Sequence, residues 1–199
     1  FNSDTFFWAG FAPRQPWHDA GDWRNFIARL GALPRHFDEH IANMERGLAR
    51  GWSVPRASLD GRDDTIEPYT REDAGNPLLA AFDAIPASIP EPVRAQLREE
   101  GRRVVLAQVV PAYRGLLDYM RNEYLPRTRT SIAASALPDG EAFYRAQIRE
   151  YVTRDMDPRE IHELGLAEVA RITAEMHEVM ARAGFEGSFE EFLAHLRSD

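Results

Sequence analysis

Apolar positions along this chain recur every three or four residues and nowhere alternate for long, a pattern that predicts helices and no sheet. The clearest stripe is Ile161, Gly165, Val169, Ile172, Met176 and Val179, spaced four, four, three, four and three. It lies on one face of a long helix. The start is written locally: Asp157 as cap, Pro158 at the first helical position and Glu160 three residues after the cap. Gly184 ends it.

Similar signals divide the rest of the chain. Asp22 is the expected cap of a short helix through Trp23, Phe26, Ile27 and Leu30, and Pro34 opens a second helix whose stripe is Phe37, Ile41, Met44 and Leu48, ending near Gly51. Trp52 to Gly75 has no period and reads as a long surface loop. Asn76-Pro77 starts a brief helix over Leu78, Leu79 and Phe82. The longest helical stretch, Glu91 to Tyr124, has a stripe of Val93, Leu97, Val104, Gln108, Leu116, Met120 and Tyr124, and Pro111 predicts a kink or break within it. Asp139 is the expected cap of a helix lined by Phe143, Gln147, Ile148 and Tyr151. Ser188 and Glu191 form a capping box before Phe189, Phe192, Leu193 and Leu196. The fold class is therefore all-α: an irregular multi-helix bundle with one long kinked helix pair. Residues 1–21, with Phe6, Phe7, Trp8, Phe11, Pro13, Pro16 and Trp17, read as an irregular aromatic arm, and 22–199 as a helical domain.

With 199 residues, 44% of them hydrophobic and 28% charged, the chain is suited to one sizeable core. Its net charge of −8 gives no electrostatic support for a nucleic-acid or anionic-membrane partner. It contains no cysteine, which excludes disulfides, thiol nucleophiles and thiolate metal ligands. No apolar run approaches the roughly 20 residues of a transmembrane helix, and nothing at the front reads as a signal peptide. A soluble protein is expected, with its compartment, cytoplasmic or exported, left open.

Three stretches carry a family resemblance: LPRHFDEHIANMERGLARGWSVPR from Leu33, LPDGEAFYRAQIREYVTRDMDPREIHELGLAEVARITAEM from Leu137, and GFEGSFEEFLAHLRSD at the end. Together they resemble the front half of the bacterial domain of unknown function 885 family. That resemblance implies an all-helical fold that is part of a larger zinc metallopeptidase-like hydrolase acting on peptides. It also implies a downstream His-Glu-Ala-x-Pro-Gly-His motif, which does not occur in these residues. On this reading the chain is an N-terminal portion without its metal motif, inactive alone. It holds no catalytic, metal or cofactor residue of its own, zinc belonging to the full-length relatives. Its partner is the missing C-terminal portion, and pairing between copies is another way to cover a severed face.

Of the residues that could carry chemistry, His36-Phe37-Asp38-Glu39-His40 has the order of an inverted zinc-peptidase motif, with both imidazoles on one helix face and Glu39 as base. Both histidines fall at the rim of the packed stripe, where ordinary contacts are the simpler account. His177 lacks a second histidine four residues on, since Ala181 stands there, and His162 is followed by Leu166. His18 and His195 are isolated. The turn Leu137-Pro138-Asp139-Gly140 with Tyr144 is either a turn and cap or the border of a substrate cleft, near Arg149 and Arg154 as carboxylate-binding candidates. Three functions remain in play: the N-terminal part of a metallopeptidase-like hydrolase, a stand-alone helical interaction module, and a zinc hydrolase using His36, Glu39 and His40.

Overall fold

Where local capping chemistry is strong, helices begin where the chain's own side chains can take up free backbone N–H groups. The computed structural model describes residues 17–198, and no strand occurs among them. The described residues fall into two compact units, with Pro138 ending the first and Asp139 beginning the second. Most of the aromatic arm, 1–16, lies outside the described residues.

Among the described residues the helices of the first unit begin with α1 (Ala20–Gly31), followed after one residue by α2 (Leu33–Ala49). Asp19 rather than Asp22 caps α1, accepting from Gly21 N at 2.6 Å and Asp22 N at 3.2 Å. Asp22 instead takes the His18 amide, so the helix starts three residues earlier than expected. Trp17 stacks on Trp23 with ring centroids 4.1 Å apart. Gly51 ends the α2 region with φ +76°, a left-handed conformation that glycine adopts without a Cβ penalty.

The loop from Trp52 to Gly75 contains three 3₁₀ turns, Arg56–Ser58, Asp63–Thr65 and Glu67–Thr70. It buries Leu59, Ile66 and Tyr69. Asn76 then caps the one-turn α3 (Pro77–Ala80). Asn76 is completely buried and fully engaged: it accepts from Leu78 N at 3.0 Å and donates to the carbonyls of Tyr69 at 3.2 Å and Arg71 at 2.8 Å.

The centre of the unit is one uninterrupted helical path composed of α4 (Glu91–Val104), a π turn (Val105–Val109), α5 (Val110–Tyr119), a second π turn (Met120–Tyr124) and α6 (Leu125–Arg127). Pro111 does not break it. The amide before each proline reaches back five residues, Val110 N to Val105 O and Leu125 N to Met120 O. Each proline thus follows a widened turn, which relieves the crowding that its ring and missing N–H impose on a regular α-helix.

The wider turn also resets the buried face. The core runs Leu97, Gly101, Val105, Val109, Val110, Tyr113, Leu116, whereas Val104 is only half-buried and Gln108 is exposed. Sequence periodicity placed Val104 and Gln108 on this face because it assumed uniform α geometry. Gly101, with no side chain to enter an apolar stripe, is buried with the Phe82 ring filling its place. Around these residues Trp23, Phe26, Leu30, Leu33, Phe37, Leu78 and Phe82 complete the core. Tyr113 sits at its middle, 4.8 Å from the rings of both Phe37 and Tyr69.

The second unit contains α7 (Gly140–Val152), α8 (Pro158–Arg182) and α9 (Phe189–Leu196). Asp157 caps α8 through Arg159 N at 2.9 Å, and Gly184 ends that region at φ +69°. The capping box of α9 is complete, Glu191 N donating to Ser188 Oγ at 3.2 Å and Ser188 N to Glu191 Oε2 at 2.7 Å. Asp139 makes no side-chain cap to α7. It stands in the left-handed region at φ 53°, and its carbonyl, not its carboxylate, accepts from Phe143 N. Of the large apolar side chains here only Ile148 and Met180 are buried among the described residues, while Val169, Ile172, Met176 and Val179 of α8 are 41–63% exposed.

Candidate functional site

The helical period of α2 puts His36, Glu39 and His40 on neighbouring turns. The His36 and His40 rings pack edge to face with centroids 4.3 Å apart, both side chains half-buried. Glu39 does not join them. Its carboxylate accepts from Arg35 Nε at 2.8 Å, and this hydrogen bond is the main cause that holds its pKa below the usual carboxylate value. Two imidazoles come together here, and the expected base is committed to an exposed ion pair. Among the described residues no group of three or more His, Asp or Glu is arranged to hold a metal ion.

Along α8, His162 and His177 are both exposed, and the His177 ring lies 6.2 Å from that of Phe189. Tyr144, Arg149 and Arg154 are exposed as well. Pro138, the last residue of the first unit, lies against Gly51, 3.2 Å from where a Cβ on that glycine would stand. Leu137 to Tyr144 thus contains a turn in which Asp139 adopts a positive φ, with Tyr144 exposed on α7.

Sequence reasoning missed the ties between the 52–75 loop and the end of the central helical path. Arg56 donates to the carbonyls of Pro126 at 2.6 Å and Thr128 at 3.2 Å, which the second π turn and Pro126 leave facing the loop. Arg121 takes Asp63 at 2.7 Å, Asp64 at 3.2 Å and Glu67 at 2.8 Å. The Arg121 guanidinium holds the Asp63 carboxyl below its ordinary range. Beside these contacts lies an open cleft of about 730 Å³, lined by Arg56, Leu59, Asp60, Asp63, Leu125 and Thr130 among others.

A second tie runs from α2 to the same helix end. Glu45 accepts from the Tyr119 hydroxyl at 2.7 Å and from both terminal nitrogens of Arg127 at 2.9 and 3.0 Å, a bidentate arrangement. The Tyr119 hydroxyl first and Arg127 second lower the Glu45 pKa, while burial and then the bond to Glu45 raise that of Tyr119. Arg129 closes the group by donating to the carbonyls of Ser53, Ser131 and Ala133. The charged groups that tie α2 and the loop to the end of the helical path meet in ion pairs 54 to 82 residues apart in sequence. No spacing rule finds such pairs, since each member looks like a solvated surface charge.

The comparisons with known proteins agree with this architecture. No curated protein matches. The chain has the fold of the crystal structure of the putative lipoprotein from Colwellia psychrerythraea, with a TM-score of 0.79 and 22% identity, over 93% of this chain and 32% of that one. It spans about a third of the length of that solved chain. The model of a family described as bacterial protein of unknown function matches residues 2–199. The chain belongs to that family, DUF885.

Proposed function

We propose that this chain is the N-terminal helical portion of a zinc-dependent, metallopeptidase-like hydrolase, that it forms one wall of the substrate cleft, and that it is inactive alone. The observation that carries this reading is the asymmetry of the fold match: nearly all of this chain corresponds to about a third of a longer chain. The resemblance noted above supplies the chemistry, a downstream His-Glu motif to hold zinc. The family's own description leaves activity open.

The test is zinc content and peptide hydrolysis, measured on residues 1–199 and on the complete gene product. Stoichiometric zinc and hydrolysis are expected in the complete product and in neither measurement of the shorter chain. Zinc or hydrolysis in the shorter chain overturns the reading. Their absence from the complete product is the outcome that a non-catalytic helical interaction module predicts.

One observation favours a second reading, the close packing of the His36 and His40 rings. A hydrolase built there requires Glu39 to leave Arg35. Replacing both histidines by alanine discriminates: unchanged metal content in the complete product removes this reading.

A further inference from the structure

Helix α8 carries its apolar stripe in the open. Val169, Ile172, Met176 and Val179, with Leu164 and Leu166 beside them, are all between 41 and 63% exposed. Toward its N-terminal end Gly165 would meet nothing within 4 Å if it bore a Cβ. A glycine in a helix interior costs helical stability, and nothing among the described residues needs the missing side chain. The two observations fit together if another backbone comes close at Gly165 and side chains from it cover the stripe.

We infer that this face seats a helix from the part of the polypeptide that follows residue 199, which rests on the reading that the chain is the first portion of a longer protein. The spacing argues for a helix as occupant, because three- and four-residue ridges accept the ridges of a partner helix, and a glycine notch permits close approach. From Ile161 to Val179 the face is about 27 Å long at 1.5 Å per residue, which matches a partner helix of about 18 residues. On one flank Arg171 is held by Glu168 at 2.7 Å and Glu175 at 2.6 Å, a charged rim beside the apolar stripe that is left with a net negative charge. The length of chain available favours a later segment over a second copy. The solved structure of the same fold has about two thirds of its length outside the match, and a segment tied to the same polypeptide docks at high effective concentration.

The experiment uses the complete gene product grown with photo-methionine, which replaces methionine almost isosterically and needs no substitution at Met176. Heavy and light molecules are mixed before irradiation to separate crosslinks within a molecule from those between molecules. The expected result is a crosslink from Met176 to a residue beyond 199 of the same molecule. Crosslinks only to residues 1–199, only between molecules, or none from Met176 overturn the inference. A second measurement compares thiol labelling of Ile172→Cys with Glu163→Cys: at least tenfold slower labelling at 172 is expected, and equal rates count against the seat. Zinc assayed on the same sample keeps the two ideas apart, since a crosslink beyond 199 without zinc leaves the docking face standing and removes the hydrolase.

Discussion

The hydroxyl of Tyr119 donates to Glu45 Oε1 at 2.7 Å, joining α2 to the last turn of α5 across 74 residues of sequence. Arg127 grips the same carboxylate from two turns further on. The second π turn, Met120–Tyr124, lies between these two partners, so one carboxylate fastens the helix on both sides of its widened turn.

Tyr119→Phe removes the donor and keeps the ring. The partly exposed site reduces what a hydrogen bond to a charged group is worth, so a loss of about 1 kcal/mol is expected in urea unfolding. The Glu45 carboxyl, followed by NMR, should titrate higher in the variant, because the hydroxyl is the first cause of its lowered pKa.

Acid should weaken the first unit. Glu45 and Asp63 are both held below their ordinary values, by Tyr119 and Arg127 and by Arg121 respectively. A folded pKa below the unfolded one contributes stability that is present above the unfolded value, about 4, and is lost as pH falls through the folded value. Tm should therefore hold from neutral pH to about 4 and fall below it with respect to these two groups. Arg121→Met should make the acid decline shallower, since Asp63 then loses the largest cause of its lowered pKa.

Gly101→Ala tests the packing of Phe82. On propensity alone the change stabilises a helix interior by up to about 1 kcal/mol. The new methyl would collide with the buried Phe82 ring, however, and the ring's neighbours Trp23 and Phe26 oppose its movement. A net loss of about 1–3 kcal/mol is expected by denaturant titration. Gly115→Ala, where nothing stands within 4 Å, should instead gain stability.

Asn76→Ala deletes a helix cap and leaves the carbonyls of Tyr69 and Arg71 without their buried donor. The expected loss is about 2–4 kcal/mol. Asn76→Ser keeps an acceptor for Leu78 N but not the two donated bonds, and its stability should fall between the parent and the alanine variant.

Much of the helical plan was legible in the sequence because it is decided within a few residues. The Asp157-Pro158 start, the Ser188–Glu191 box and the cap at Asn76 each satisfy N–H groups two or three positions away. Where local reading failed, the backbone departed from the regular α geometry that the pattern assumes. Gln108 left the buried face because the π turn at Val105–Val109 added a residue to the register, and Asp139 did not cap because its backbone turned left-handed. The His36 and His40 pairing was readable from a spacing of four, but the diversion of Glu39 to Arg35 was a choice among several nearby partners.

By itself the sequence determined the helices, most of their ends, the absence of thiol chemistry and the membership signalled by its motifs, all properties of short stretches or of composition. Tertiary structure alone decided that Arg56, Arg121 and Arg127 fasten a loop and two helices to one another, and that the stripe of α8 lies open while in that of α2 Phe37 is buried and Ile41, Met44 and Leu48 are half-buried. The physical reason is the same in both cases. Periodicity states that a face is apolar and a charge states that it wants a partner, but which surface or counter-ion arrives depends on chain brought from far away in the sequence.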